Sequence, residues 1–518
     1  MGIMYVTQTD VITLSNTIAA AVLCFLLNRL WTWYRLRHVP GPLQNAFSSL
    51  FLLRTQLGGN VHADLNALLR KHGGSGSGSH NLVRIGPNAV LTNDAKLVQR
   101  MEATRSPYVK SPWYGTFRFM KGTDHSFSLN DEKKHTELRT KIGPGYSSTH
   151  LAEQSIDRQL QRFIGLIERK FLSNEETHAY RPVDFALISH LYSMDVVGDW
   201  TFGRPFGFLE DGIDIYGYIR WNEDFFPFVT MASTFPFLSK VLQTWPFSEL
   251  LPKPTDIVGL GRFMKVAQEA VDERLMDGPG DRKDLLCIFL QYGLTKDEAV
   301  NEALVQVVAG TDSVAVAIRM ALLYILSNQR VYTKLMAELD AAAATATRPI
   351  IRDAEARRLP YFQAVIRESL RIFPTVTPLM FKSVPRGGDL VAGYQLPGGT
   401  EVGVDQFGIL RSREYWGEDA DLFIPERWLD VDKERAEEMA EYLEASFGYG
   451  KYKCLGRSIA FVEINKTLFE ILQRYKFTVV DPTSPLKMFA ASFWVMKEFW
   501  MLIAPRESTS TTSAETMS

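Results

Sequence analysis

Phe447-Gly448-Tyr449-Gly450-Lys451-Tyr452-Lys453-Cys454-Leu455-Gly456 decides how the rest of this chain is read. An aromatic residue leads into a glycine-punctuated loop, and the loop delivers one cysteine to the start of an apolar run with helical spacing. Glycines permit tight turning and close approach of backbone to a flat ligand. A thiolate at a helix N-terminus is stabilised by the macrodipole and by unpaired backbone N–H groups, which suits it as an anionic metal ligand. A lone cysteine is more often a small buried hydrophobe; the pattern around Cys454 is what sets it apart.

Only two other cysteines occur, Cys24 and Cys287. That is too few for a disulfide framework or a four-cysteine zinc or iron–sulfur site, and it implies a reducing compartment. Lys plus Arg (57) nearly balance Asp plus Glu (59), which removes the electrostatic basis for a nucleic-acid binder. The 518 residues could make about three ordinary domains. No repeat or long linker divides them, however, so the sequence predicts one large, mainly α body with small β-sheets, including a strand-like piece at 81–85. The run 73–79 is Gly/Ser-rich and expected to be a surface loop, and 508–518 a disordered tail.

The N-terminus reads as an anchor. Residues 11–34 are mostly apolar and about long enough to cross a bilayer. Trp31, Trp33 and Tyr34 suit an interface, and Arg35, Arg37 and His38 on the C-terminal flank direct the remainder of the chain to the cytosol. A cleaved signal peptide would carry its basic residues before the apolar run and a small-residue cleavage site after it. Residues 1–10 would then be a short lumenal N-terminus, 35–45 a basic hinge broken by Pro40-Gly41-Pro42, and 46–507 the catalytic domain.

A second apolar stretch begins at Thr295-Lys296-Asp297-Glu298, a capping-box pattern, and continues to Ser327. At 1.5 Å per residue this helix measures roughly 48 Å, enough to cross the whole body. Gln306, Asp312 and Arg319 oppose reading it as a membrane span, because a charge at the bilayer centre costs roughly 2.5–3.5 kcal/mol. In its middle lies Ala309-Gly310-Thr311-Asp312-Ser313; a glycine there costs about 1 kcal/mol and signals that something needs the space. Further on come Glu368-Ser369-Leu370-Arg371 and Phe423-Ile424-Pro425-Glu426-Arg427-Trp428.

Together these motifs, in this order, resemble the cytochrome P-450 family, whose heme-binding signature is Phe-x-x-Gly-x-x-x-Cys-x-Gly. The resemblance runs from the anchor to about residue 505, and Gly-Lys-Tyr-Lys-Cys-Leu-Gly is similar to filamentous-fungal members of the pisatin-demethylase-like group, which implies secondary-metabolite biosynthesis. It implies the cytochrome P-450 fold preceded by one transmembrane helix in the endoplasmic reticulum membrane, and heme b with Cys454 as axial ligand to the iron. Phe447, Gly450, Tyr452 and Gly456 would shape the heme loop; such a sulfur donates electron density to the iron and favours O–O cleavage. Gly310, Thr311, Asp312 and Ser313 would form the oxygen-activation segment, with Asp312 and Ser313 relaying protons. The family's usual threonine is Ser313 here, which keeps the hydroxyl and drops the methyl that fixes its rotamer. His135 and Arg139, one turn apart, match the propionate helix. Two departures stand beside them: Tyr452 replaces a basic residue, and Lys382 an arginine. Glu368, Arg371 and Arg427 would make a buried structural triad.

The activity so implied is monooxygenation of a small hydrophobic molecule with O2. The resemblance implies that electrons come from NADPH cytochrome reductase, with cytochrome b5 as a further donor, and the lack of a Gly-x-Gly-x-x-Gly fingerprint after a strand agrees with imported electrons. Lys451, Lys453 and Arg457 would face that donor. Substrate-lining candidates are 113–119, 225–237, 375–379 and 489–493. A heme-thiolate isomerase, dehydratase or peroxide-using enzyme would need no reductase, and a non-catalytic heme sensor would leave the acid–alcohol pair without a task. The Asn465-Lys466-Thr467 sequon lies on a predicted cytosolic helix and is expected to be silent.

Overall fold

The capping box closes. Thr295 Oγ1 accepts from the Glu298 N–H, the Glu298 carboxylate accepts from the Thr295 N–H, and the helix runs Lys296–Leu326. This computed structural model describes residues 8–73, 81–278, 282–491 and 493–506; the Gly/Ser run beyond residue 73 and the tail from 508 fall outside them. The long helix is apolar enough to cross a membrane, but most of it is buried inside the protein, so it is the axis of a core. Helices Phe185–Phe202, Gly259–Asp277, Pro360–Ile372 and Arg457–Arg474 pack around it. Phe185–Phe202 is buried on every side, as a helix without a polar face must be.

The β-structure is small and peripheral. One five-stranded sheet has the order Leu82–Gly86, Ala89–Thr92, Glu401–Val404, Lys382–Ser383, Val109–Lys110. Its first strand is the piece expected at 81–85. The last pairing sets Lys110 directly opposite Lys382, two like charges on one ladder.

The helix Gln8–Arg35 carries the expected apolar stretch, and Ser15–Arg35 is long and apolar enough to cross a membrane. The segment after it is not the free hinge that Pro40-Gly41-Pro42 suggests. Leu36 and Val39 lie in the core, and buried Arg84 donates to the carbonyls of Thr32 (3.0 Å), Gly86 (3.2 Å) and Pro87 (2.5 Å). Arg35 adds a bond to Gly398 O at 2.7 Å. Arg84 N–H also donates to Pro40 O at 2.8 Å, so the chain from Arg35 to Pro40 is docked on the sheet of the body. In the sequon, Asn465, Lys466 and Thr467 are all buried, closed to any transferase.

Candidate functional site

The loop before the cysteine is tied down by its own backbone: Cys454 N–H donates to Phe447 O at 2.7 Å. Gly448 and Gly450 have φ of +74° and +46°, the left-handed region that favours glycine. A Cβ on Gly450 would also lie 2.3 Å from Glu102 O. These two glycines therefore serve the turn, and Gly450 also the approach of helix Ala95–Glu102. Glu102 was not legible as a site residue. Its carboxylate accepts from Tyr449 N–H at 2.7 Å and pairs with Lys382 at 2.8 Å, joining loop to sheet.

Beyond the loop the helix Arg457–Arg474 begins. Surrounding protein pushes the Cys454 thiol up, while the N–H groups of Gly456 and Arg457 and the Arg139 charge pull the other way. Yet the residue is exposed. The sulfur is therefore open at its own surface although protein surrounds the loop. Phe447 packs beside the loop against Phe461 (centroids 5.7 Å apart), under the Arg457 guanidinium.

The long helix has an open stripe in its buried middle. Ala309 is exposed and Val305, Val308, Asp312 and Ser313 are half-buried, whereas the neighbouring turns are closed. Their spacing of 3, 4, 7 and 8 residues from Val305 puts them on one face. Ser313 Oγ donates to Ala309 O at 2.9 Å, and Asp312 Oδ1 lies 3.2 Å from His190 Nε2. Two members of the segment face elsewhere. A Cβ on Gly310 would meet Val197 Cγ2 at 3.1 Å, so the space this glycine leaves admits helix Phe185–Phe202. Thr311 is buried and donates to Val307 O at 2.8 Å, away from the stripe.

A group of cations gathers beside the cysteine loop. Arg139, on helix Glu132–Ser147, donates to Lys453 O at 2.7 Å. His135 is buried, and burial followed by the charges of Lys110, Arg139, Lys451 and Lys382 lowers its pKa to about 3. Lys382 Nζ sits between Glu102, Tyr114 Oη (2.8 Å) and Met380 O (3.0 Å). The Tyr452 ring lies 4.5 Å from Lys382 Nζ and 5.6 Å from Lys110 Nζ, and its hydroxyl donates to Glu132.

Lys110 carried no signal in the sequence beyond a lysine in a strand-like run. It is buried and donates only to the carbonyls of Ser126 (2.7 Å) and Phe127 (2.8 Å), with no ion pair among the described residues. Burial and Lys382 push its pKa well down. Like charges directly opposite on a ladder are unfavourable, as is a buried cation without a counter-charge. This arrangement fits the carboxylates of a heme.

The triad residues meet. Glu368 takes both Arg371 Nε and Nη2 at 2.8 Å and Arg427 Nε at 3.0 Å, with Glu368 and Arg371 fully buried. Two further donors to this carboxylate, Ile424 N–H and Trp428 Nε1–H, each at 2.9 Å, come from the Arg427 segment. Arg371 also caps the carbonyls of Leu410, Ala420 and Leu422.

The family model for cytochrome P450 matches residues 40–500. The chain is a cytochrome P450. It is 35% identical over 499 residues to "Cytochrome P450 monooxygenase ABA1" of Pyricularia oryzae, covering 95% of this chain and 97% of that protein. To "Cytochrome P450 monooxygenase aba1" of Botryotinia fuckeliana it is 34% identical, covering 92% and 93%. A solved cytochrome P450DA heme domain shares the fold, with a TM-score of 0.68, 17% identity and coverage of 88% and 94%. This P450 is accordingly a heme-thiolate monooxygenase, with heme b on an axial cysteine.

Within the P450 body all four expected substrate-lining segments lie on elements that meet. Phe117 lies 6.0 Å from Phe493, which bridges Val376, and helix Tyr218–Thr234 packs on Pro112–Phe117. Trp113, by contrast, is buried among Tyr114, Phe117 and Phe127, a core position. Of the cations expected to face a donor, Lys451 is taken inward by Glu132 and by the carbonyls of Ser106 and Tyr108. Lys453 and Arg457 share Glu444.

Proposed function

We propose that Cys454 is the axial cysteine and that the enzyme oxidises a small hydrophobic molecule in fungal secondary metabolism, using electrons that NADPH supplies through a flavoprotein reductase. The observations that carry this are an open sulfur at Cys454 and an open stripe in the buried middle of the long helix, which we read as two walls of one internal hollow. When bound, the heme supplies dioxygen activation and oxygen-atom transfer. Arg139, Lys382 and Lys110 would hold its propionates by charge and His135 by a hydrogen bond, while Tyr452, whose hydroxyl is given to Glu132, sets its ring against the two lysines. Phe447, Gly450 and Gly456 keep the loop in shape around the sulfur. Val305, Val308 and Ala309 present an apolar wall that keeps bulk water out. Ser313 and Asp312, at the end of that wall, move a proton into the hollow; the Ser313 hydroxyl is poised by its bond to Ala309 O and can turn to a water or substrate oxygen. Gly310 and Thr311 contribute by holding the helix against its neighbours.

The membrane reading is supported by a second apolar surface besides the N-terminal helix. Phe237, Val241, Trp245, Phe247, Leu250 and Ile257 are exposed, more than a soluble surface ordinarily gathers in one stretch. We place residues 1–10 in the lumen of the endoplasmic reticulum, 11–34 in the bilayer, and the catalytic body in the cytosol. With Lys451 turned inward, the reductase, or cytochrome b5, is met by exposed Lys133 and Lys134 at the start of the propionate helix. The test is spectral and chemical. The reduced protein with carbon monoxide should show the red-shifted Soret band of a thiolate-bound heme, lost in Cys454→Ala and kept in Cys24→Ser and Cys287→Ser. With reductase, NADPH and candidate metabolites, mass analysis should find gains of one oxygen. A Cys454→Ala protein that keeps the band would end the ligand assignment.

A further inference from the structure

Asp312 has a partner that its motif does not announce. His190, from the helix Phe185–Phe202, brings Nε2 to 3.2 Å from Asp312 Oδ1. The imidazole is buried, with Tyr218 edge-on at 6.4 Å. Nε2 is off the line of a well-formed hydrogen bond and has no other partner among the described residues. A buried ring nitrogen left in that state is unfavourable, and a small rotation of either side chain completes the bond. The Asp312 side chain is 26% exposed against 6% for His190, so the pair joins the hollow to a closed layer between helices.

Polar residues interrupt the buried middle of His190's helix, and three of them answer the neighbouring helices. Ser189 accepts from Arg319 Nε at 2.8 Å, Ser193 donates to Glu463 at 2.8 Å, and His190 faces Asp312. Asp312 and Arg319 reach the imidazole from the long helix; Asp214, Tyr218 and Glu223 reach it from the helix Tyr218–Thr234 and the turn before it. Burial pushes the imidazole below its ordinary pKa and Arg319 adds to that, while the three carboxylates oppose it.

We propose that His190 is a positioning residue for Asp312. Resting on the proton-transfer role proposed above for Asp312, it holds the carboxylate in the rotamer that serves the hollow, and its protonation state changes how firmly. A neutral ring holds Oδ1 by one Nε2–H bond; a protonated ring holds it by a charged one, which is stronger.

Nuclear magnetic resonance of histidine-labelled, full-chain holoenzyme, reduced and bound to carbon monoxide, reads the pair directly. Asp312→Asn should lower the His190 titration midpoint by about 1 pH unit or more, since an anion this close favours the protonated ring. An unchanged midpoint would overturn the pairing. His190→Leu should keep the Soret band and KM but lose about tenfold to a hundredfold in product formed per NADPH, the scale of a misplaced group. His190→Gln, which retains an N–H donor, should recover most of that loss and flatten the pH profile of coupling. If the leucine variant loses its heme, the glutamine pH profile decides, and a profile like the parent's overturns the proposal. Leucine coupling equal to the parent's, while Asp312→Asn is impaired, would overturn the role of His190 alone. Full coupling in Asp312→Asn would remove the acid's role and this proposal with it.

Discussion

Glu368→Gln isolates the buried triad with a change of one atom. The Glu368 carboxylate accepts five bonds: Oε1 from Arg371 Nη2, Arg427 Nε and Ile424 N–H, and Oε2 from Arg371 Nε and Trp428 Nε1. A glutamine can keep the first three through its carbonyl. Its amide cannot accept the other two and points a donor at two donors. Two lost bonds to a charged group are worth about 1.5–3 kcal/mol each. The sum agrees with the roughly 3–5 kcal/mol for breaking a buried ion pair by removing one partner, and two arginines remain without their anion. Against a folding stability of about 5–15 kcal/mol, this is a large share of the total. Urea unfolding followed by tryptophan fluorescence and by the thiolate Soret band measures it. Arg427→Lys should be milder, because Asp419 is a second partner within reach at 3.1 Å. A glutamine variant within about 1 kcal/mol of the parent would mean that the carboxylate charge does not hold this part of the core.

Three further outcomes are expected. Ser313→Ala should bind heme and substrate yet release more hydrogen peroxide per product, with roughly a tenfold loss of coupled turnover, and Ser313→Thr should restore it; an alanine variant as well coupled as the parent would remove the hydroxyl from proton transfer. Glu463 is buried with Ser193 as its hydrogen-bond donor, and burial raises its pKa to about 8. The raised carboxyl favours folding fully below its ordinary range, and that contribution is lost as pH rises towards about 8. Glu463→Gln should therefore gain on the parent by about 1.4 kcal/mol per pH unit across that window and level off above it, and equal urea midpoints at pH 5.5 and 8.5 would refute the assignment. Removing residues 1–30 should weaken membrane association and spare the Soret band. Removing residues 1–40 should also destabilise the fold by about 3–6 kcal/mol, because Leu36 and Val39 leave the core; equal stability of the two truncations would make 35–45 the free hinge its sequence suggests.

Local chemistry was legible where a residue's task is set by its immediate neighbours in the chain. The cysteine at a helix start, the capping box at Thr295, the one-turn spacings of Glu368 with Arg371 and of His135 with Arg139, and the apolar N-terminal stretch all arise from spacing along one element. Taken in order, they carried the family and its cofactor. The hinge misread the same kind of signal: Pro40-Gly41-Pro42 does break the helix, but a break says nothing of whether the chain beyond it docks, and Arg84 decides that from another strand.

The sequence by itself determined the elements, the order of motifs and the family, because helical periodicity, capping and turn residues act over a few positions. Tertiary structure decided what faces what. Lys110 became a candidate heme partner only because strand register sets it against Lys382. Gly310 turned out to admit Val197, and Lys451 to bond inward. Glu102 and His190 gained their places from loop and helix packing across hundreds of residues or across the core. Burial and electrostatics depend on distances that the chain sets only after it has folded back on itself, so the partner of a charge is the last thing its own sequence neighbourhood can reveal.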